Sequence, residues 1–128
     1  MAKALKEMIA TANATIETLS AEEALKVYGR DDTVFVDLRD TMELAREGLV
    51  PGAVHIPRGM LEFAIDAESP AHNPLFSQDM KVVFYCGSGG RSALAALSAH
   101  QLGFTNCAHM AGGYAAWKQA GGPVMEKG

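Results

Sequence analysis

Residues 81–103 read, in order, as a β-branched and aromatic run (KVVFY), a tight glycine-rich turn (CGSGGRS), a helical stretch (ALAALSAHQL) and a closing glycine. A short apolar strand that passes straight into a helix cannot fold back as a hairpin. Its next strand is reached by a crossover, which makes a parallel pair covered by the helix. The same alternation recurs along the chain. Strands are expected at Thr33–Leu38, Ala53–Ile56, Lys81–Tyr85 and Cys107–Met110, where β-branched or aromatic residues cluster between turn formers. A helix is expected from Ser92 to Leu102, ended by Gly103. Ser20 with Glu23 forms a capping-box signature for a helix running through Tyr28 and ended by Gly29, and Asp40 with Glu43 opens a second short helix. Together these elements predict an α/β fold whose active site lies beyond the carboxyl ends of the strands.

Two stretches stand outside the alternation. Leu5, Met8, Ile9 and Ala12 fall at helical spacing within Ala2–Ala12, which predicts an amphipathic N-terminal helix packed on the domain as an arm. The chain therefore divides into an arm, residues 1–15, and a domain, residues 16–128. Met60–Met80 carries Ser69-Pro70 and Asn73-Pro74, which force extended or turn geometry, and is expected to be a long surface excursion.

With 128 residues, 48% of them hydrophobic, the chain can bury one core. Its 15 acidic and 11 basic residues leave a net charge of −4 with no basic run, so nucleic acid is not an expected partner. Lys3, Lys6, Glu7 and Glu17 interrupt the first twenty residues, which removes the apolar core of a signal peptide. No other stretch is apolar enough to span a bilayer, so a cytoplasmic protein with no membrane partner is expected. In that reducing setting a structural disulfide between Cys86 and Cys107 is not expected.

The chemistry concentrates at Cys86-Gly87-Ser88-Gly89-Gly90-Arg91-Ser92. Three glycines let the backbone curl so that several N–H groups turn inward, and the helix that follows adds the positive end of its dipole. A cysteine at the rim of such an anion-binding bowl has its thiolate stabilised and becomes a nucleophile. The same donors suit the anionic head of a sulfur donor and then the terminal sulfur of a persulfide, without metal or organic cofactor.

At this point the loop resembles the active-site loop of the rhodanese family, in which a Cys heads a tight loop often ending in Arg. Three further segments are similar to family motifs in the family's order: VDLRD with Glu43, GLVPGAVHIPRG, and MAGGYAAWKQAGGPV, together spanning about Leu19 to Val124. Leu49 and Val50 stand where the family usually has His and Ile, in a turn before Pro51-Gly52. The resemblance implies a small central parallel sheet flanked by helices on both faces. It also implies transfer of sulfane sulfur from a small anionic donor such as thiosulfate to cyanide, a thiol or a protein sulfur acceptor.

Other charged and nucleophilic residues have plainer explanations. Asp37 and Arg39, near the loop by resemblance, suit a structural ion pair with Glu43 or with neighbouring backbone better than direct catalysis. Arg58, after the second expected strand, could face an entering anion or simply occupy a surface turn. Arg91 could meet the donor or brace the loop from outside, with donor binding the favoured role. His55, His72, His100 and His109 show no metal-ligand spacing, and Cys107 reads as a small core residue. Tyr114 and Trp117 read as helix residues packing on the sheet.

Two rival functions share the pattern. A Cys-dependent phosphatase or arsenate reductase would also hold a tetrahedral oxyanion, but only four residues separate Cys86 from Arg91, one fewer than in rhodanese-fold phosphatases. A non-enzymatic sulfur-carrier or interaction module would often have lost the cysteine.

Overall fold

The computed structural model describes residues 4–77 and 79–127. Five parallel strands form one sheet: β1 (Glu17–Leu19), β2 (Thr33–Asp37), β3 (Val54–His55), β4 (Lys81–Tyr85) and β5 (Cys107–Met110), in the order β1-β5-β4-β2-β3. β4 lies at the centre, in register with β2 (Phe35 opposite Val83) on one side and β5 (Phe84 opposite His109) on the other. The helices are α1 (Leu5–Thr15), α2 (Ala21–Val27), α3 (Thr41–Glu47), α4 (Leu61–Ile65), α5 (Gly90–Gln101) and α6 (Gly113–Gln119).

Alternation along the central strands sends apolar side chains to both faces, and both are covered. Val36, Val82 and Phe84 pack with Leu61, Ala64 and Ile65 of α4 and Ala95, Ala96 and Ala99 of α5. Phe35, Val83 and Tyr85 pack on the other side with Ala21 and Ala24 of α2 and Tyr114 and Trp117 of α6. The three alanines of α5 let its backbone lie close to the sheet. Each fully buried side chain such as Val82 or Phe84 contributes roughly 1.5–3 kcal/mol, so the two clusters fix the layers.

The expected α/β fold is thus present, with differences of detail. Both capping boxes form: Ser20 Oγ accepts from the Glu23 N–H at 3.0 Å, and Asp40 Oδ1 from the Glu43 N–H at 2.9 Å. β1 was not expected; only Leu19 of its three residues is buried, so it carries no alternation to read. The expected excursion at Met60–Met80 includes α4 and a 3₁₀ turn at Pro74–Ser77, which bury Leu61, Ile65 and Phe76. Of the expected N-terminal helix, Ala2 and Lys3 lie outside the described residues. The described part ends three residues later than expected, at Thr15, and α1 packs against α5.

Candidate active site

β4 delivers Cys86 to the carboxyl edge of the sheet, and α5 begins four residues later. The helix starts two residues earlier than the sequence suggests because Gly89 caps it in a left-handed conformation, φ 107°. That turn aims the Gly89 N–H at Cys86 Sγ, 3.1 Å away. The N–H groups of Gly90, Arg91 and Ser92 lie in the first turn of α5 and have no intrahelical acceptor, so the head of the helix supplies further donors beside the sulfur. Ser88 is exposed at the crest of the loop.

A second helix holds the loop from behind. The Tyr114 N–H donates to the Cys86 carbonyl at 2.8 Å and the Ala115 N–H to the Gly87 carbonyl at 3.3 Å. This approach requires glycine at 113, where φ is 60° and a Cβ would lie 2.4 Å from the Cys86 carbonyl oxygen. These two bonds hold the backbone of the Cys86 loop against the head of α6.

Arg91 does not stand free at the far side of the bowl. Its Nη1 and Nη2 donate to Glu43 Oε1 and Oε2 at 2.7 and 2.9 Å. The hydrogen bonds from Arg91, outweighing partial burial and joined by that from the Asp40 N–H, pull the Glu43 carboxyl down to about 2. Arg91 is shifted upward, first by the same hydrogen bonds. The geometry is that of a brace joining α3 to the loop.

Asp37 and Arg39 pair with each other rather than with Glu43. Arg39 Nη2 donates to Asp37 Oδ2 and to the Gly48 carbonyl, both at 2.8 Å, and its guanidinium lies 4.3 Å from the centre of the Tyr114 ring. Both side chains are buried. Burial opposes the Arg39 charge most strongly, but the hydrogen bonds and charge of Asp37 together outweigh it and shift Arg39 upward. The Arg39 guanidinium also lies 5.8 Å from the centre of the Tyr85 ring. Arg58 is engaged elsewhere, donating to Glu62 at 2.9 Å and to Ser98, two turns down α5, at 3.3 Å.

The two cysteines differ in setting. Cys107 lies in register with Val82, at the opposite end of the strands from Cys86. Burial pushes its thiol up to about 11, as suits an inert core residue. Both cysteines are free thiols.

His109 and Asn13 escaped the reading of the sequence. Ser92 Oγ lies 3.6 Å from Cys86 Sγ and 3.0 Å from His109 Nδ1, and His109 Nε2 lies 2.6 Å from Asn13 Oδ1 on α1. The available signal was the neighbourhood of β5 and β4, which puts His109 beside Phe84, two residues before Cys86.

A helix-backed, glycine-lined loop headed by a cysteine on a parallel sheet defines a class of anion-handling cysteine domains, and the rhodanese-like domain family matches residues 20–120. The chain belongs to that family. It is 33% identical over 106 residues to human thiosulfate:glutathione sulfurtransferase, covering 78% of this chain and 91% of that protein. Among solved structures it is similar to a human single-domain sulfurtransferase, at 32% identity and TM-score 0.67, covering 80% of this chain and 95% of that one. It is also similar to a Rhodopseudomonas palustris protein of unknown function, a possible tyrosine phosphatase, at 46% identity and TM-score 0.94, covering 98% and 96%. Among the described residues, no helix is long and apolar enough to cross a membrane.

Proposed function

We propose that the chain is a sulfurtransferase that moves sulfane sulfur from a small anionic donor such as thiosulfate to cyanide, a thiol or a protein sulfur acceptor, through a persulfide on Cys86. The observation that carries this is the 3.1 Å contact from the Gly89 N–H to Cys86 Sγ at the head of α5, within a loop of four residues between Cys86 and Arg91. The Cys86 thiolate attacks the outer sulfur of thiosulfate. A new S–S bond forms at Cys86, the old one breaks, and sulfite leaves with the electron pair. The acceptor nucleophile then attacks the terminal persulfide sulfur and Cys86 departs as thiolate. Gly87, Ser88, Gly89, Gly90, Arg91 and Ser92 form the cradle for the anionic sulfur. Asp37, Arg39 and Glu43 support it from beneath and beside, whereas Arg58, paired with Glu62 and bonded to Ser98, stands outside the cradle.

The resemblance to a possible tyrosine phosphatase gives the main rival its one specific support. The short loop speaks against it, because a phosphoryl group needs a wider ring of donors. Steady-state assays separate the two: thiocyanate formation from thiosulfate and cyanide, compared with hydrolysis of an aryl phosphate. Cys86-dependent hydrolysis without sulfur transfer would replace the sulfurtransferase with a phosphatase.

A further inference from the structure

One of the buried titratable groups that the proposed chemistry leaves without a role stands beside the Cys86 loop. His109 is 2% exposed on the central sheet, and its ring bridges the loop and the N-terminal helix. Asn13 Oδ1 accepts from His109 Nε2 at 2.6 Å, and also from the Thr18 hydroxyl at 3.5 Å. An acceptor at Nε2 puts the neutral ring's proton there and leaves Nδ1 with a lone pair. That lone pair faces the Ser92 hydroxyl at 3.0 Å, and the hydroxyl oxygen faces Cys86 Sγ at 3.6 Å. The Ser92 hydroxyl also faces the Gly89 carbonyl at 3.2 Å, so its single proton is shared between that carbonyl and His109 Nδ1 along the path from sulfur to Asn13. The neighbours of His109 are Thr18 on β1, Phe84 on β4, Ser92 on α5 and Asn13 on α1. None of these carries a charge, and the titratable group this chain of contacts reaches is Cys86.

We propose that His109, pinned by Asn13, is a positioning residue for Cys86 that acts through the Ser92 hydroxyl as acceptor of the thiol proton, a role that rests on Cys86 being the reacting group. In that step the S–H bond breaks and its proton passes to Ser92 Oγ while the Ser92 proton passes to His109 Nδ1. A thiolate and an imidazolium result, with no change in net charge. Burial works against the imidazolium, while the Gly89 N–H donates to Cys86 Sγ at 3.1 Å. The N-terminal helix is on this view part of the site, because Asn13 sets the tautomer.

The test is the pH profile of Cys86 alkylation by iodoacetamide, followed on the Cys86 peptide by mass spectrometry and run without any sulfur donor. Ser92→Ala and His109→Gln should each slow alkylation at neutral pH by about tenfold, the scale of one lost hydrogen bond, and move the profile to higher pH. Gln retains bulk and a polar amide but cannot titrate. Asn13→Asp should move the profile the opposite way, because a carboxylate at Nε2 favours the imidazolium, and Asn13→Leu should move it to higher pH. A merely structural role gives no such reversal of sign. Unchanged profiles in folded His109→Gln and Asn13→Asp would overturn the proposal. Failure of the wild-type chain to take sulfur from thiosulfate would instead overturn the sulfurtransferase reading, and it is measured separately.

Discussion

Glu43 and Arg91, forty-eight positions apart in the chain, meet in a two-point ion pair that ties α3 to the end of the Cys86 loop. The sequence favoured donor binding for Arg91, whereas both terminal nitrogens of its guanidinium are already engaged. A brace acts on every donor alike. Arg91→Ala and Glu43→Ala should therefore lower kcat by similar factors, about tenfold, for thiosulfate and for an organic sulfur donor alike, with smaller changes in KM. Steady-state kinetics check this. A selective rise in the KM for thiosulfate in Arg91→Ala, weakened by salt, would mean that the guanidinium leaves Glu43 to meet the anion.

The same pair makes stability depend on acid. Glu43 is held at about 2 against an ordinary 4.5, so between those values the unfolded chain binds a proton that the folded chain does not. The contribution of the pair is complete above the ordinary value and is lost as pH falls toward the lower one. Urea denaturation should show a wild-type midpoint that falls between about pH 5 and pH 3. Glu43→Gln should start lower at neutral pH and fall less over that interval.

Gly113 lets α6 approach the loop. Gly113→Ala should destabilise the fold by about 1–3 kcal/mol from backbone strain, and by more from the contact with the Cys86 carbonyl. Gly52 has a similar positive φ, 84°, with open space around its Cβ position, so Gly52→Ala isolates the strain. Urea denaturation of both variants, with persulfide yield, should show loss of sulfur loading in Gly113→Ala alone.

The Asp37–Arg39 pair is buried without access to water. Asp37→Ala leaves the guanidinium uncompensated and should cost about 3–5 kcal/mol in chemical denaturation. A loss below about 1 kcal/mol would mean that Gly48 and the tyrosine rings suffice to hold Arg39.

Inserting one glycine between Gly89 and Gly90 widens the loop toward the phosphatase length and shifts the Gly89 N–H away from the sulfur. Sulfur transfer should fall by about tenfold or more, as expected when an oriented donor is lost. Aryl phosphate hydrolysis, measured beside it, should stay negligible in the parent chain.

The readable parts of the molecule were those governed by near neighbours. Capping boxes, the glycine-ended helices and the apolar runs of β2 and β4 are local, so the central sheet and the Cys86 loop could be placed from the sequence. β1 escaped because an exposed three-residue edge strand has almost no pattern. α4 escaped because five residues make little more than one turn, too few for an apolar repeat to show. The partners of Arg91 and His109 escaped for a different reason. Glu43 and Asn13 reach them only through the crossovers of the sheet, and nothing in the local pattern of either residue records that meeting.

Persulfide formation on Cys86 is tested most directly by the intact mass of the purified chain after incubation with thiosulfate and removal of excess donor. The wild type and Cys107→Ser should each gain the mass of one sulfur atom, mapped to the Cys86 peptide and discharged by cyanide, and Cys86→Ser should gain nothing. Sulfur retained by folded Cys86→Ser, or a wild type that transfers sulfur without ever carrying it on Cys86, would contradict the mechanism.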